Sequence, residues 1–294
     1  MERRMAEYRI VERDTRDLLG EGLLWSARDQ AVYWTDILAP ALNRLSLADG
    51  AVTRWPMPEM IGWVIERQNA PGFIAGFRSG FAELLIDSSA LDPLTIIPIV
   101  DPEPDLPDNR LNDAKADQWG RIWAGSMPLT ADRPSGNLYR FDPDRSLTHV
   151  DSDYSVANGP AISPDQDWLY HTDTPARQVY RFALDADGAH DRTPFIRFEK
   201  DWGYPDGMTV DAQGYLWIAH WGGSRISRFT PDGLLDRSIE LPASQITNIC
   251  FAGDDLDRMF VTSAADGVPH EEHAGYLFEV ESGVRGLPTG KFGG

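Results

Sequence analysis

The stretch GYPDGMTVDAQGYLW, residues 203–217, sets a carboxylate, Asp206, between Pro205 and Gly207, just before an apolar alternation begins at Met208 and Val210. Glu21, Asn112 and Asn158 hold comparable places elsewhere, each shortly ahead of a strand signal that ends in an aromatic residue. Thr247-Asn248 holds a fifth such place, and the sixth has only Ile61-Gly62. Asp and Asn beside Gly are ordinary turn formers, and each position taken alone can be read that way. Two carboxylates and two carboxamides in the same repeat phase read differently. If one architecture gathers them, Glu21 and Asp206 repel each other in a partly desolvated place, and a hard divalent cation, which takes carboxylate and amide oxygens, resolves the conflict.

The elements that must position these residues are repeats. GYLW at 214–217 is matched by AVYW at 31–34, GRIW at 120–123, DWLY at 167–170 and DRMF at 257–260, with a weaker copy, GFIA, at 72–75. Each combines turn residues with β-branched or aromatic alternation, which is strand chemistry. Further strand signals follow, among them NLYRF, QVYRF, SRISRF and GYLFEV, while long segments of helical period are almost absent. An all-β chain with six copies about 45 residues apart, each with room for four short strands, is the signature of a six-bladed β-propeller. Two β-sandwiches would also use such strands, but no linker divides the chain. The expected blades start near 19, 60, 110, 156, 204 and 246 within a single domain spanning 1–294, and EYRIVER, with its 8–13 segment, closes the ring against the last blade. In such a ring, equivalent positions on the innermost strands face one another at one end of the central channel, where a metal site is expected.

Composition narrows the partners. The chain has 294 residues and a net charge of −19, from 27 Lys and Arg against 46 Asp and Glu. That balance argues against a nucleic-acid backbone or an anionic membrane surface as partner. The single cysteine, Cys250, excludes an internal disulfide framework, suits a reducing compartment and lies in an apolar stretch where a buried thiol is expected. MERRMAEYRI shows no apolar run of the signal-peptide kind, and no uncharged stretch approaches the ~20 residues of a membrane helix, so a cytoplasmic location is expected. His270 and His273 share a polar loop and are expected to be solvated. No G-x-S-x-G elbow or phosphate-cradling loop is present.

LGEGLLW at 19–25, NRLNDAKADQWGRIWAGSM at 109–127, NGPAISPD at 158–165 and YPDGMTVDAQGYLW at 204–217 together resemble the signature stretches of one family. It comprises gluconolactonases, senescence marker protein (regucalcin) and luciferin-regenerating enzyme. The resemblance runs over nearly the whole chain and is nearest to bacterial sugar lactonases of the xylonolactonase kind. It implies a six-bladed propeller with one divalent cation (Ca, Zn, Mg, Mn or Fe(II)) held by Glu21, Asn158 and Asp206. It further implies that Asp206 is the general base, and that Arg110 and Asn112 contact a small-molecule sugar lactone such as a xylono-, arabinono- or gluconolactone. Two departures stand out: Leu23 replaces the usual Pro after the GEG motif, and Thr130 stands where relatives carry an acidic substrate contact on the lid side. Trp63, Tyr204 and Trp221 are candidates either for stacking on a sugar or for packing between blades. Another metal-dependent esterase, such as a phosphotriesterase, and a non-enzymatic metal-binding propeller remain alternatives on the same architecture.

Overall fold

The computed structural model describes residues 8–87 and 93–294. The first seven residues, which include most of the segment inspected for a targeting signal and Glu7 of the closing strand, lie outside the described residues. Among the described residues twenty-four strands form six four-stranded antiparallel sheets, and five of the six are meanders of consecutive strands. The innermost strands are β2 (Gly20–Ser26), β6 (Ile61–Glu66), β10 (Asn109–Ala116), β14 (Ala157–Ile162), β18 (Tyr204–Val210) and β22 (Ile246–Ala252). Each touches the next around a ring, and β22 returns to β2. This is a six-bladed β-propeller. Among the described residues no helix is long and apolar enough to cross a membrane.

The sixth sheet supplies the closure. Its order places β1 (Tyr8–Ile10) on the outside of β24 (Phe278–Val280), with Tyr8 opposite Val280 and Ile10 opposite Phe278. A strand from the start of the chain thus completes a blade begun near its end, which leaves no open seam in the ring.

Burial follows from the repeat. The hydrophobic core is divided into clusters that lie between adjacent blades, such as Trp123, Leu138 and Tyr154 of the third blade against Ala157 and Leu169 of the fourth. The anchors Trp34, Trp123 and Trp217 are wholly buried. Their indole N–H groups nevertheless find partners, donating to Asp17, Asp117 and Asp211 at 2.8, 2.8 and 2.9 Å. Asp117 and Asp211 also accept from Arg121 and Arg228, so each turn is tied to its blade by a satisfied buried carboxylate.

Beyond β24 the chain runs across the end of the channel that the innermost strands reach last. Ala212 N donates to Arg285 O, Phe292 N to Glu66 O and Gly293 N to Gly120 O. This strap and the far halves of the innermost strands border a partly open cavity of about 530 Å³, lined by Trp63, Lys115, Cys250 and Leu287 among others. The Asp and Asn positions of the repeat lie at the opposite end.

Candidate functional site

Every innermost strand slips register against its neighbour at the same level of the channel. The slips fall between Glu21 and Leu24, Ile61 and Trp63, Leu111 and Ala114, Asn158 and Ala161, Pro205 and Met208, and Ile246 and Ile249. A bulge leaves residues unpaired and re-aims their side chains. Here it breaks the strict alternation of a strand, so neighbouring residues such as Asn112 and Asp113 both turn toward the hub. The second blade contributes no side chain: a Cβ on Gly62 would lie 2.4 Å from the Asn112 carbonyl oxygen, so only glycine permits that approach.

Glu21, Asn112, Asn158 and Asp206 are all buried, and hydrogen bonds tie Glu21 into one group of hub residues and Asn112 with Asn158 into another. Asn248 Nδ2 donates to Glu21 Oε2 at 3.0 Å and reaches Asp113 Oδ2 at 3.3 Å. Asn112 Nδ2 donates to Asn158 Oδ1 and to the Ala157 carbonyl, both at 2.8 Å. Arg110 Nη1 donates to Asn112 Oδ1 at 2.6 Å and to Leu111 O at 3.1 Å. Asn158 Nδ2 donates to Thr174 Oγ1 at 2.9 Å, and Thr174 Oγ1 donates to Pro205 O at 2.8 Å. Asp206 Oδ1 is buried and has no partner at all.

The electrostatics are those of a crowded anionic cavity. Burial, followed by the charge of Asp113, pushes the Glu21 carboxyl up to about 8. Burial, then Glu21 and Asp113, raises Asp206 well above the usual carboxylate range. Asp113 is raised as well, chiefly by burial and against the pull of Lys115. Arg110 is brought down to about 10 by burial, while Glu21 and Asp206 act to keep it charged. Three carboxyl groups therefore sit where each penalises ionisation of the others, with one buried guanidinium beside them.

Among the described residues no group of three or more His, Cys, Asp or Glu side chains is arranged to hold a metal ion. The donors gathered at the hub are mixed: carboxylate oxygens of Glu21 and Asp206 with the carboxamide oxygen of Asn158. This set fits a hard divalent cation, because the unpartnered Asp206 Oδ1 and the mutually raised carboxyls are what an anionic oxygen cage shows without its counter-charge.

Other positions singled out in the sequence lie elsewhere. Thr130 is exposed and its hydroxyl donates to Asp132 Oδ1 of the same loop at 2.5 Å. Trp63 is buried, with its ring edge-on to Phe81 at 5.5 Å, so it packs between blades rather than facing the mouth. Tyr204 is partly exposed near the mouth, but the Arg177 guanidinium covers one ring face at 4.2 Å. Arg110 makes no ion pair with Asp108 or Asp113; Asp108 pairs instead with Arg133 at 3.5 Å.

Two hub residues, Asp113 and Thr174, escaped the sequence, and a third, Asn248, was given a place without a role. Asp113 is buried and faces Asn248, although strand alternation would send it away from the side of Asn112. Only the bulge explains it. Asn248 was visible in repeat phase, but nothing in its type separated a ligand from a bridge between two acids. Thr174 follows β15 (Trp168–Asp173) and carries no repeat signal.

The chain matches the family model described as SMP-30/gluconolactonase/LRE-like region over residues 19–265. A 6-deoxy-6-sulfogluconolactonase of Pseudomonas putida is 36% identical to it over 94% of this chain and 96% of that protein. A pentonolactonase of Haloferax volcanii is 32% identical over 97% of each. The solved structure of a calcium-binding protein, regucalcin, from Agrobacterium tumefaciens superposes with a TM-score of 0.90 at 28% identity, covering 98% of this chain and 97% of that one.

Proposed function

The chain belongs to the SMP-30/gluconolactonase/LRE-like family, and from that premise we propose that it is a divalent-metal-dependent hydrolase of sugar-acid lactones, opening an aldono-1,4- or 1,5-lactone to the aldonic acid. That it hydrolyses lactones as an enzyme follows from the relatives that carry this activity by name along almost its full length. The metal dependence rests on the donor set and on the calcium-binding relative. The observation that carries the reading is the buried, unpartnered Asp206 Oδ1 at the point where the bulged strands converge.

Glu21, Asn158 and Asp206 would hold the ion, which when bound supplies Lewis-acid polarisation of the lactone carbonyl. Asp206 takes the proton of the attacking water on the carboxylate oxygen that the ion would not occupy and returns it to the ring oxygen as the C–O bond breaks, which yields the hydroxyl and carboxyl of the aldonic acid. Arg110 stays charged beside Glu21 and Asp206 and donates hydrogen bonds to the lactone. Asn112 has both amide hydrogens committed to Ala157 and Asn158, so its part is to hold Arg110 through its own carbonyl oxygen.

The test is a panel of pentono- and hexonolactones on chelator-stripped protein with Ca²⁺, Mg²⁺, Mn²⁺, Zn²⁺ and Fe²⁺ restored one at a time, with aryl esters and organophosphates alongside. Lactone turnover that vanishes on stripping and returns with a cation supports the proposal. Turnover indifferent to chelation refutes the metal, and preference for organophosphates refutes the substrate class.

A further inference from the structure

Resting on the metal reading above, we infer that Thr174 is a positioning residue that fixes which end of the Asn158 carboxamide faces the hub and ties that amide to the strand carrying Asp206. A carboxamide offers an acceptor at one end and donors at the other, and only its partners decide which way it points. Asn158 is useful to a cation only by its oxygen.

Both ends of this amide lead to backbone carbonyls, which only accept. On one side Asn112 Nδ2 is committed to Ala157 O at 2.8 Å, so it presents an N–H to Asn158, and Asn158 must answer with Oδ1. On the other side the Thr174 hydroxyl spends its single hydrogen on Pro205 O at 2.8 Å, so it can only accept from Asn158, and Asn158 must present Nδ2 at 2.9 Å. The two requirements agree. Thr174 is nearly buried, so removing its hydroxyl would leave the Asn158 N–H without a partner and without access to water. The hydroxyl also spans two blades: Asn158 belongs to the fourth, and Pro205, whose carbonyl begins the peptide unit of Asp206, to the fifth.

Threonine suits this position for reasons visible in the structure. Its backbone N–H donates to Val156 O, which holds the residue against the start of β14. Its branched Cβ restricts χ1 and so narrows the directions the hydroxyl can take. Valine at 174 would keep the shape and remove only the hydroxyl.

The experiment is calorimetric titration of chelator-stripped protein with Ca²⁺ and, separately, Mn²⁺. Thr174→Val is expected to weaken whichever ion the unaltered chain binds by about 10–100-fold, the usual loss when an outer partner of a ligand is removed. Thr174→Ser, which keeps the hydroxyl, stays within about threefold. The discriminating background is Asn158→Asp. A carboxylate has two equivalent oxygens and no N–H to be orphaned, so there Thr174→Val should cost about threefold or less. At saturating metal, KM for the lactone in Thr174→Val stays within about twofold, because Ala157 holds Asn112 and thereby Arg110 without Thr174.

Equal metal affinity of the valine variant and the unaltered chain overturns the inference. A loss that persists undiminished with Asp at 158, or a serine variant as weak as valine, overturns it too, since either places the effect in packing. If the unaltered stripped chain binds neither ion, Mg²⁺, Zn²⁺ and Fe²⁺ are titrated in turn; binding of none of the five overturns the metal reading itself, and this inference falls with it. Melting of each metal-free variant identifies any that no longer fold, and the Asn158→Asp comparison then decides between the two that do.

Discussion

The Glu21 carboxylate accepts a hydrogen bond of 3.0 Å from Asn248 Nδ2 across a sequence separation of 227 residues. The same amide nitrogen lies 3.3 Å from Asp113 Oδ2, so one neutral donor sits between two buried acids from the first and third blades. Asn248→Asp removes the donor and adds a fourth carboxyl to the hub while keeping an acceptor for the Ile249 N–H. The metal-free variant should lose on the order of 1–3 kcal/mol, with a larger loss at pH 9 than at pH 6 because Glu21 ionises near 8. Urea melts at the two pH values read this directly; an equal loss at both would mean that charge crowding is not the cause.

The pH profile of the metal-free protein should be a dome built by two opposing sets of groups whose windows overlap between about 4.3 and 6.5. Burial pushes His171 and His220 down to about 3, whereas an unfolded histidine takes its proton near 6.5. Between those values the unfolded chain binds more protons, so stability rises with pH at up to about 1.4 kcal/mol per unit for each group. The hub works in the opposite sense. Glu21 holds its proton to about 8 when folded and releases it near 4.3 when unfolded, so stability falls as pH climbs through that window, and Asp206 acts in the same direction. Saturating metal should flatten the upper limb alone, and His171→Gln should roughly halve the slope of the lower limb, leaving the His220 share. Denaturant melts from pH 4 to 9, with and without cation, test both; an upper limb unmoved by metal would separate the ion from these carboxylates.

Much of this arrangement can be read from the chain, and what cannot has a physical cause. Trp34, Trp123 and Trp217 announce the repeat because a buried indole needs both an apolar wedge and an acceptor, and the turn acid that supplies the acceptor lies close by for Asp117 and Asp211. Glu21, Asn158 and Asp206 share a phase that the repeat makes visible. Asp113 is hidden because period-two reasoning assumes unbroken pairing, and the register slip between Leu111 and Ala114 breaks it at the hub. The strap is hidden for another reason: ESGVRGLPTGKFGG has no alternation to announce it, and its position depends on one aromatic side chain finding a site between the second and third blades.

Asp206→Asn should separate the two duties given to this residue. The amide keeps one oxygen for an ion but cannot take a proton from water. Turnover of the preferred lactone is therefore expected to fall by about 10²–10⁴-fold while a cation still binds, and Asp206→Ala should lose both. Parallel calorimetry and steady-state assays check this. Full turnover in the asparagine variant with metal bound would remove Asp206 from the proton-transfer role.

Phe292 should carry most of the strap's attachment. Its ring is fully buried and stacks on Phe141 with centroids 5.2 Å apart and planes 14° from parallel. Around it, Phe292 N donates to Glu66 O, Gln68 N donates to Phe292 O, and Lys291 pairs with Glu66 at 3.1 Å. Phe292→Ala leaves these polar contacts formally possible but empties the apolar socket, and should cost about 3–5 kcal/mol. The hub lies at the opposite end of the channel, so kcat and KM of the folded variant should match the unaltered enzyme well below its melting point. A lowered melting temperature with unchanged kinetics fits a strap that only seals the far end. A change in KM without loss of stability would instead connect the far-end cavity to the site where the lactone is opened.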